Sequence, residues 1–523
     1  LIAHQTCIAL AQITRSRTLW LALLHKSQDI LPYSSHVRSL AKQNYSSCLN
    51  PLPFIESAVI HACRSTRTWP RQRMRQPIQL HKQNSDSRSL LFMELYLDRW
   101  LLYAYTEGQV YLWDINPSNL PLDGRGLAPR QCASLDLGSR NWTSLAASLD
   151  ASNECIIIAL TRASIPSSIQ IYRIQMRHDP DAVLDSTTFE LLHTLVSPIP
   201  QLVRMIQPST QLMILSSPST VDIVAVNTRI NAPVDVSGEV VDTKLNISPD
   251  NLEELVADYS EMNGVVDVRI IETYVVVFKM RSIKIYPLMF DMTSNKEASR
   301  CQCTVDYGVR DDFPITSLCF RSVSISEFIV DQGIISFSFC GYDFLRGIFR
   351  FEARIFPSQV SNSRSEHGPF LDLNCVGIYP ISDVIDKNHL QLLATRDLPS
   401  TLHASDASSS NTNSTPNISP KVRSNMDHIS VGANSRGFVS AMSLGPQGKR
   451  AVWVERRRSS TIREVFVWQK GVEDEVVIPR QAVYRVESYD LKDDLTHCAI
   501  GEVSGTIVLG NRAGEIFILG IDL

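Results

Sequence analysis

The sequence has few of the features that mark membrane, secreted or metal-binding proteins. No apolar run reaches the roughly 18 residues that cross a bilayer, and no secretory signal is present. The 11 cysteines are scattered, and the close pair Cys301 and Cys303 is too isolated for a zinc site. Because unpatterned cysteines are typical of reducing compartments, we expect a cytoplasmic or nuclear protein with no metal and no membrane partner. The first residue is Leu, which predicts an N-terminally truncated fragment.

An excess of one charge is also missing. Lys and Arg number 50 against 54 Asp and Glu, a net charge of −4, so we expect no nucleic-acid partner. No Gly-x-Ser-x-Gly, Walker A or His-Glu-x-x-His motif occurs. The carboxylate pairs Asp311-Asp312 and Asp493-Asp494 fall in predicted turns, where solvation explains them. We therefore predict a protein that is not an enzyme, with no catalytic residues and no cofactor.

What the sequence does contain is clearest at 90–115. Apolar and polar residues alternate at 90–95 and again at 109–114, and a second apolar run occupies 100–105. Asp98-Arg99 and Glu107-Gly108 are turn signals between these runs. Three short antiparallel strands that end in Trp113-Asp114 resemble one blade of a WD-repeat β-propeller.

The same unit recurs with declining similarity along the chain. We place further units at 142–174, 201–226, 265–288, 315–356, 437–468 and 497–519. The last unit lacks an outer strand, and the alternating segment 77–81 is suited to supply it, which would close the ring and remove free sheet edges. We therefore predict a mainly β fold, a WD40-like propeller of seven blades over 76–523, with an insertion at about 397–435 that we expect to be disordered. Six or eight blades, or two stacked β-sandwich domains, are the alternatives, because the spacing is loose and the Gly-His dipeptide of good WD repeats is missing.

The N-terminal 28 residues show helical rather than strand periodicity. Ser16 is a plausible N-cap for a helix with an apolar face of Leu19, Trp20, Leu23 and Leu24. The order His4-Gln5-Thr6-Cys7, then Leu10, then Thr14-Arg15-Ser16-Arg17 and Trp20 resembles the second half of an F-box, without its Leu-Pro opening. Periodicity alone would equally suit a small helical cap on the propeller. Residues 29–75 are predicted to be a helical linker.

F-box motifs bind the Skp-type adaptor of cullin-based ubiquitin ligases. The resemblance implies that this adaptor contacts, or the motif packs through, Cys7, Leu10, Ile13, Trp20, Leu23 and Leu24. It further implies a non-enzymatic substrate receptor of an SCF-type ligase, with the Skp-type adaptor and cullin complex as partners and an unidentified protein substrate on the propeller. As substrate contacts we single out Arg99 and the run Arg456, Arg457 and Arg458, which falls in a predicted hairpin turn.

Two other functions fit the same pattern. A WD-repeat scaffold without a ubiquitin-ligase role would need only the propeller. A propeller hydrolase would need several acidic side chains that converge in the central channel.

Overall fold

The computed structural model describes residues 16–26, 56, 59–60, 77–81, 88–115, 129–138, 141–150, 155–164, 166–176, 188–197, 200–216, 221–225, 264–288, 303–306, 318–357, 369–380, 437–457, 461–470 and 481–520. Within them the chain is almost entirely β. The helix α1 spans Arg17–Lys26, and a short 3-10 helix spans Leu491–Asp493. The predicted insertion at 397–435 and nearly all of the predicted linker lie outside the described residues.

The strands form separate antiparallel sheets, which we number in chain order by their innermost strand. Sheet 1 contains β2 (Leu90–Tyr96), β3 (Trp100–Tyr105), β4 (Gln109–Asp114) and β5 (Arg130–Asp136). Sheet 2 contains β6 (Trp142–Asp150), β7 (Cys155–Arg162), β8 (Ser167–Gln175) and β9 (Phe189–Ser197). Sheet 3 contains β10 (Leu202–Gln207), β11 (Leu212–Ser216) and β12 (Val221–Ala225).

The remaining sheets follow the same plan. Sheet 4 contains β13 (Val265–Ile271), β14 (Tyr274–Lys279), β15 (Ser282–Pro287) and β16 (Cys303–Asp306). Sheet 5 contains β17 (Phe320–Ile325), β18 (Ile329–Asp331), β19 (Ile334–Asp343), β20 (Gly347–Phe356) and β21 (Phe370–Pro380). Sheet 6 contains β22 (Gly437–Leu444), β23 (Arg450–Arg457), β24 (Ile462–Gln469) and β25 (Gln481–Glu487). Sheet 7 contains β26 (Leu495–Ile500), β27 (Ile507–Asn511), β28 (Ile516–Leu519) and β1 (Ile78–His81).

The blade count differs from our expectation of seven. Six of the sheets are complete blades with at least four strands, whereas sheet 3 has three strands among the described residues. For the fifth unit we predicted a start at residue 315; residues 315–317 lie outside the described part of the chain, and the innermost strand spans Phe320–Ile325. In this strand Ser322 and Ser324 alternate with apolar residues, and serines are common in turns, so the segment does not read as a strand.

Sheet 7 is closed by the N-terminal segment, as predicted. β1 pairs antiparallel with β28, with Ile78 opposite Ile518 and Gln79 opposite Phe517. The side-chain amide of Gln79 also donates to Glu515 Oε1 at 2.9 Å. The early strand therefore covers the outer edge of the last sheet, which removes an edge that could pair with other chains.

Seven buried apolar clusters link each described sheet to the next. Trp100 and Leu102 of sheet 1 pack with Ile156 and Ile158 of sheet 2, and corresponding clusters join every later pair. The seventh joins sheet 7 to sheet 1, where Val508 packs with Tyr103. The sheets therefore close into a ring around an axis, which is a propeller arrangement and excludes the alternative of two stacked sandwiches.

Polar side chains on the innermost strands add hydrogen bonds between neighbouring sheets. Ser144 Oγ accepts the Val203 N–H at 2.9 Å, and Ser324 Oγ accepts the Leu444 N–H at 2.8 Å. Ser440 Oγ donates to the Leu495 carbonyl at 2.7 Å. These bonds satisfy backbone groups at the inner rim, where each first strand has no ladder partner on its axial side.

Two buried carboxylates fasten the turns that join the first and second strands of sheets 1, 6 and 7. Asp98 accepts the N–H groups of Val503 and Ser504 at 2.7 and 2.8 Å. Glu502 accepts three N–H groups of the next turn, those of Gln447, Lys449 and Arg450. Burial raises the pKa of both carboxyl groups. Asp98 therefore adds buried hydrogen bonds to the closing contact between sheets 1 and 7, and Glu502 adds them to the contact between sheets 7 and 6.

The approach of Glu502 is close enough to require a glycine opposite it. A Cβ on Gly445 would lie 2.6 Å from the Glu502 carboxyl carbon. The Arg450 guanidinium, itself buried, donates to the carbonyls of Glu502 and Val503, so the turn of sheet 7 accepts hydrogen bonds through its backbone as well as through the Glu502 side chain. Burial lowers the pKa of Arg450 to about 10.

We predict that Glu502→Gln lowers the free energy of unfolding by about 2–3 kcal/mol, because an amide places a donor against three backbone N–H groups. Denaturant unfolding of the full chain measures this. Glu487→Gln, on an exposed side chain of sheet 6, is the matched control and should change stability by less than about 0.5 kcal/mol. Equal effects of the two substitutions would contradict the proposed clamp.

A second prediction concerns acid. Burial lowers the pKa of His497, on the innermost strand of sheet 7, to about 4. Below pH 6.5 the unfolded chain therefore binds a proton that the folded chain does not, and stability falls as the pH drops towards 4, by up to about 3 kcal/mol from this residue. His497→Gln should flatten the dependence of the unfolding midpoint on pH across this window. An unchanged slope in the variant would show that His497 does not titrate as stated.

Candidate functional site

A cluster of charged side chains lies where sheets 6 and 7 meet, at the end of the ring opposite the clamped turns. Asp494 precedes β26 and is buried between arginines of three strands or turns. Arg456 donates to its Oδ2 at 2.7 Å, and Arg463 donates to its Oδ1 at 2.6 Å from Nε. Arg512 Nη2 lies 3.9 Å from Oδ2. One carboxylate thus faces three guanidinium groups, and two further carboxylates, Asp490 and Asp493, lie on the same connection.

The three arginines do different work. Arg463 is buried and its other donors bind the carbonyls of Thr461, Ser488 and Asp490. It therefore holds the 488–494 connection against sheet 6. Arg456 and Arg512 have side chains that are 28% and 57% exposed, so they present positive charge to solvent. Arg456 also lies over the Phe438 ring, 5.8 Å from its centroid, which restricts its position.

Exposed apolar groups lie beside this charge. Tyr489 is 93% exposed and Leu491 is 51% exposed, both on the connection that Arg463 holds. Lys492, in the 3-10 helix of the same connection, is also exposed. Exposed aromatic and cationic side chains together are typical of protein interfaces. We call the surface formed by Arg456, Arg512, Tyr489, Leu491 and Lys492 the arginine surface.

The structure separates the sequence-predicted substrate contacts. Arg456 belongs to the arginine surface, and the backbone of Arg457 ends β23, whereas Arg458 lies outside the described residues. Arg99 is buried and makes a bidentate pair with Asp114, with N–O distances of 2.9 and 2.7 Å. This correction has a simple cause: a turn residue was assumed to be exposed, but the partner strand supplies a buried carboxylate. Arg99 therefore stabilises sheet 1 and is not a surface contact.

The predicted adaptor-binding residues are described only in part. Cys7, Leu10 and Ile13 lie outside the described residues, whereas Trp20, Leu23 and Leu24 lie within α1. Ser16 occupies the N-cap position, since its carbonyl accepts the Trp20 N–H at 3.3 Å. Among the side chains of α1 that the structure describes, Leu21 is buried, and Trp20 and Leu23 are half-buried. The helix is confirmed, but one helix does not establish an F-box.

Sequence reasoning missed Asp494, Arg512, Tyr489 and Leu491. We read Asp493-Asp494 as a solvated turn, although Asp494 is buried and neutralises arginines from β23 and β24. The available signal was the coincidence of three basic residues in one hairpin with an acidic segment before the next innermost strand. Opposite charges in neighbouring loops of a ring indicate contact across the interface between sheets.

Within the part of the chain that the structure describes, no group of three or more His, Cys, Asp or Glu side chains could hold a metal ion. Over the same residues, no helix combines the length and apolar character of a membrane span.

Comparisons with known proteins give a likeness of fold. No family model matches the chain, and no curated protein matches it. Among solved structures, it is similar to the β-propeller domain of Cps50 (Swd1) from Myceliophteria thermophila, at 9% identity and a TM-score of 0.42, covering 86% of this chain and all of that one. It is also similar to the WD40 β-propeller domain of Doa1, at 11% identity and a TM-score of 0.39, covering 86% of this chain and 98% of that one. The propeller assignment made above rests on the sheet order of this chain itself.

We predict that Asp494→Asn lowers the free energy of unfolding by about 3 kcal/mol, because it leaves the buried Arg463 without a counter-charge. The neighbouring Asp493→Asn, on a side chain with more exposure, should cost less than about 1 kcal/mol. Thermal and denaturant unfolding of the two variants decide between them. Comparable losses would mean that Asp494 is not the anchor of the arginine cluster.

Proposed function

We propose that this protein is a non-enzymatic recognition protein whose propeller binds a protein partner through the arginine surface. The observation that carries the proposal is that Arg456 and Arg512 are exposed beside the apolar side chains of Tyr489 and Leu491. Arg463 makes only internal bonds, so these two arginines are the ones that a partner can reach. The three-stranded sheet 3 is proposed to occupy the seventh blade position of the ring.

The chemistry of the arginine surface favours an acidic partner segment. Guanidinium groups bind carboxylates or phosphates through paired hydrogen bonds. Tyr489 and Leu491 offer apolar contact beside the charge, so we expect the segment to combine acidic and apolar residues. Since Asp494 and Arg463 fix the connection before any partner binds, little conformational entropy is lost on binding.

For the N-terminal end we propose attachment to a Skp-type adaptor. The support is the helix α1 at the predicted place, with Trp20 and Leu23 half-buried, together with the F-box-like order of residues before it. An apolar helix face of this kind suits binding in a groove of a partner. With a substrate on the propeller and an adaptor on α1, the protein would act as a substrate receptor of an SCF-type ubiquitin ligase in the cytoplasm or nucleus.

The receptor would make no bonds itself. It would raise the concentration of a target lysine near the ubiquitin-conjugating enzyme, which accelerates transfer through effective molarity. The alternative is a WD-repeat scaffold with the same arginine surface and no adaptor. Co-purification of the Skp-type adaptor with the full-length protein, and its loss in Trp20→Ala, favours the receptor. Absence of co-purification favours the scaffold.

We predict that Arg456→Gln combined with Arg512→Gln weakens binding to acidic peptides on an array at least tenfold, because each removes a charge-assisted contact. The matched control is Arg485→Gln, since Arg485 is also exposed on sheet 6 but pairs with Glu487. Binding should weaken further with rising salt in the wild type and less so in the double variant. Undiminished peptide binding by the double variant would remove the arginine surface from the proposal.

A further inference from the structure

Sheet 5 extends beyond its neighbours at the end of the ring that carries the clamped turns. Its strands β19, β20 and β21 span 10, 10 and 11 residues, whereas those of sheet 6 span 7 or 8 and those of sheet 4 span 4 to 7. Ser338 and Glu352 still contact sheet 6, since a Cβ on Gly448 would lie 2.9 Å from the Ser338 Cβ and Lys470 Nζ lies 3.1 Å from Glu352. We call the part of sheet 5 beyond Ser338 and Glu352, towards the turn at Gln332-Gly333, the overhang.

The extra strand β18 widens the overhang. It pairs antiparallel with the start of β19, with Ile329 opposite Ser336. In the turn between these strands Gln332 and Gly333 have φ angles of 50° and 82°, the left-handed backbone of a two-residue hairpin turn that matches the twist of its strands. Such a turn fixes the register of the hairpin. The overhang is therefore a regular four-stranded antiparallel sheet that consists of β18, β19, β20 and β21.

The two faces of the overhang differ in burial. On the face turned towards sheet 4, Ile355 is fully buried in the apolar cluster that joins sheets 4 and 5. The opposite face carries Ile329 on β18 and Phe370 on β21, which are 68% and 61% exposed. The half-buried Ile334 and Phe356 lie on the strands between them, and the Phe356 and Phe370 ring centroids are 6.0 Å apart. A row of exposed apolar side chains across four strands is typical of an interaction surface.

Charged side chains of both signs border this apolar row. Arg354 on β20 lies directly opposite Asp372 on β21. Both are two residues from the Phe356–Phe370 pair and therefore share its face. Arg354 is exposed and Asp372 is half-buried. Among the described residues, no ion pair or hydrogen bond joins either side chain to a partner. The surface thus has one unpaired charge of each sign beside its apolar row.

We propose that the overhang is a self-association surface, on which a second copy of this chain packs face to face about a two-fold axis. In such a contact the same patch of both copies is buried. Ile329 and Phe370 would lie against the apolar row of the other copy, and sheet faces pack well in this way. Arg354 of each copy would pair with Asp372 of the other.

The unpaired charges favour a copy of this chain over a partner of one charge sign. A basic partner would leave Arg354 unpaired in the contact, and an acidic partner would leave Asp372 unpaired, each with a desolvation cost. A second copy supplies both opposite charges at once and also covers the apolar row. The charge pattern is therefore complementary to itself.

The position of the overhang determines what such a dimer presents. The overhang lies at the end of the ring with the clamped turns, and the arginine surface lies at the other end. A dimer through the overhang therefore leaves both arginine surfaces outside the contact, so that one particle carries two binding sites. The inference goes beyond the proposed function and does not depend on it.

The test is sedimentation velocity of the full-length protein from about 1 to 100 μM, a range that spans the dissociation constants of weak and moderate contacts. We expect a dimer whose fraction rises with concentration. Phe370→Asp should raise the dimer dissociation constant at least about tenfold, because it places a charge in the apolar contact. The matched control is Val196→Asp on β9, whose side chain is similarly exposed at 66%, and it should leave the dissociation constant unchanged.

The predicted ion pairs are tested by exchanging the charges. Arg354→Asp and Asp372→Arg should each weaken self-association, since each places like charges against one another in the contact. An equimolar mixture of the two variants should recover the wild-type dimer, because each copy then supplies the charge that the other lacks. Recovery on mixing cannot come from variants that fail to fold.

The proposal is overturned if the wild-type protein is monomeric throughout this concentration range. It is also overturned if Phe370→Asp weakens the dimer no more than Val196→Asp does, or if the mixed charge variants associate no better than either variant alone. The peptide array above tests the other end of the ring, so either proposal can fail while the other holds.

Discussion

Closure of the ring is the constraint on which the rest of the structure depends. Each sheet buries both faces against neighbours, so an open ring would expose two apolar faces at once. The closing contact joins segments that are more than 400 residues apart in the chain, as in the Asp98 bonds to Val503 and Ser504. Bringing such distant segments together has a large cost in chain entropy. At this closure the apolar cluster between sheets 7 and 1 is reinforced by the buried bonds of Asp98 and by β1, the N-terminal strand that completes sheet 7.

The same closing contact places the functional surfaces. Sheet 7 is held on one side by Asp98 and on the other by its own Glu502, so the connection before β26 starts from a fixed base. Asp494 and Arg463 then fix that connection, which carries Tyr489 and Leu491 outward.

The sequence predicted best those strands whose apolar runs are separated by clear turn signals. The strands of sheet 1 were predicted almost residue by residue, because short apolar runs alternate there with Asp-Arg and Glu-Gly turns. The closing strand at Ile78 was predicted because the last unit lacked a fourth strand and an alternating segment lay early in the chain. The inner strand of sheet 5 was misplaced, since Ser322 and Ser324 give it the composition of a loop. Outer strands such as β9 were not identified, because their apolar and polar residues do not alternate regularly. Neither Arg99 as an internal ion pair nor Asp494 as an anchor was predicted, since both rest on contacts between turns that no sequence period encodes.

The account is tested most directly by an engineered cross-link at the closure. Gln79→Cys and Phe517→Cys place thiols on directly opposite residues of β1 and β28, within the range that a disulfide spans. Mild oxidation followed by peptide mass spectrometry should give an intramolecular 79–517 disulfide and a higher unfolding midpoint, whereas Gln79→Cys with Thr496→Cys, two strands further in, should not cross-link. A 79–496 link, or the absence of any link between 79 and 517, would show that the ring is not closed as described.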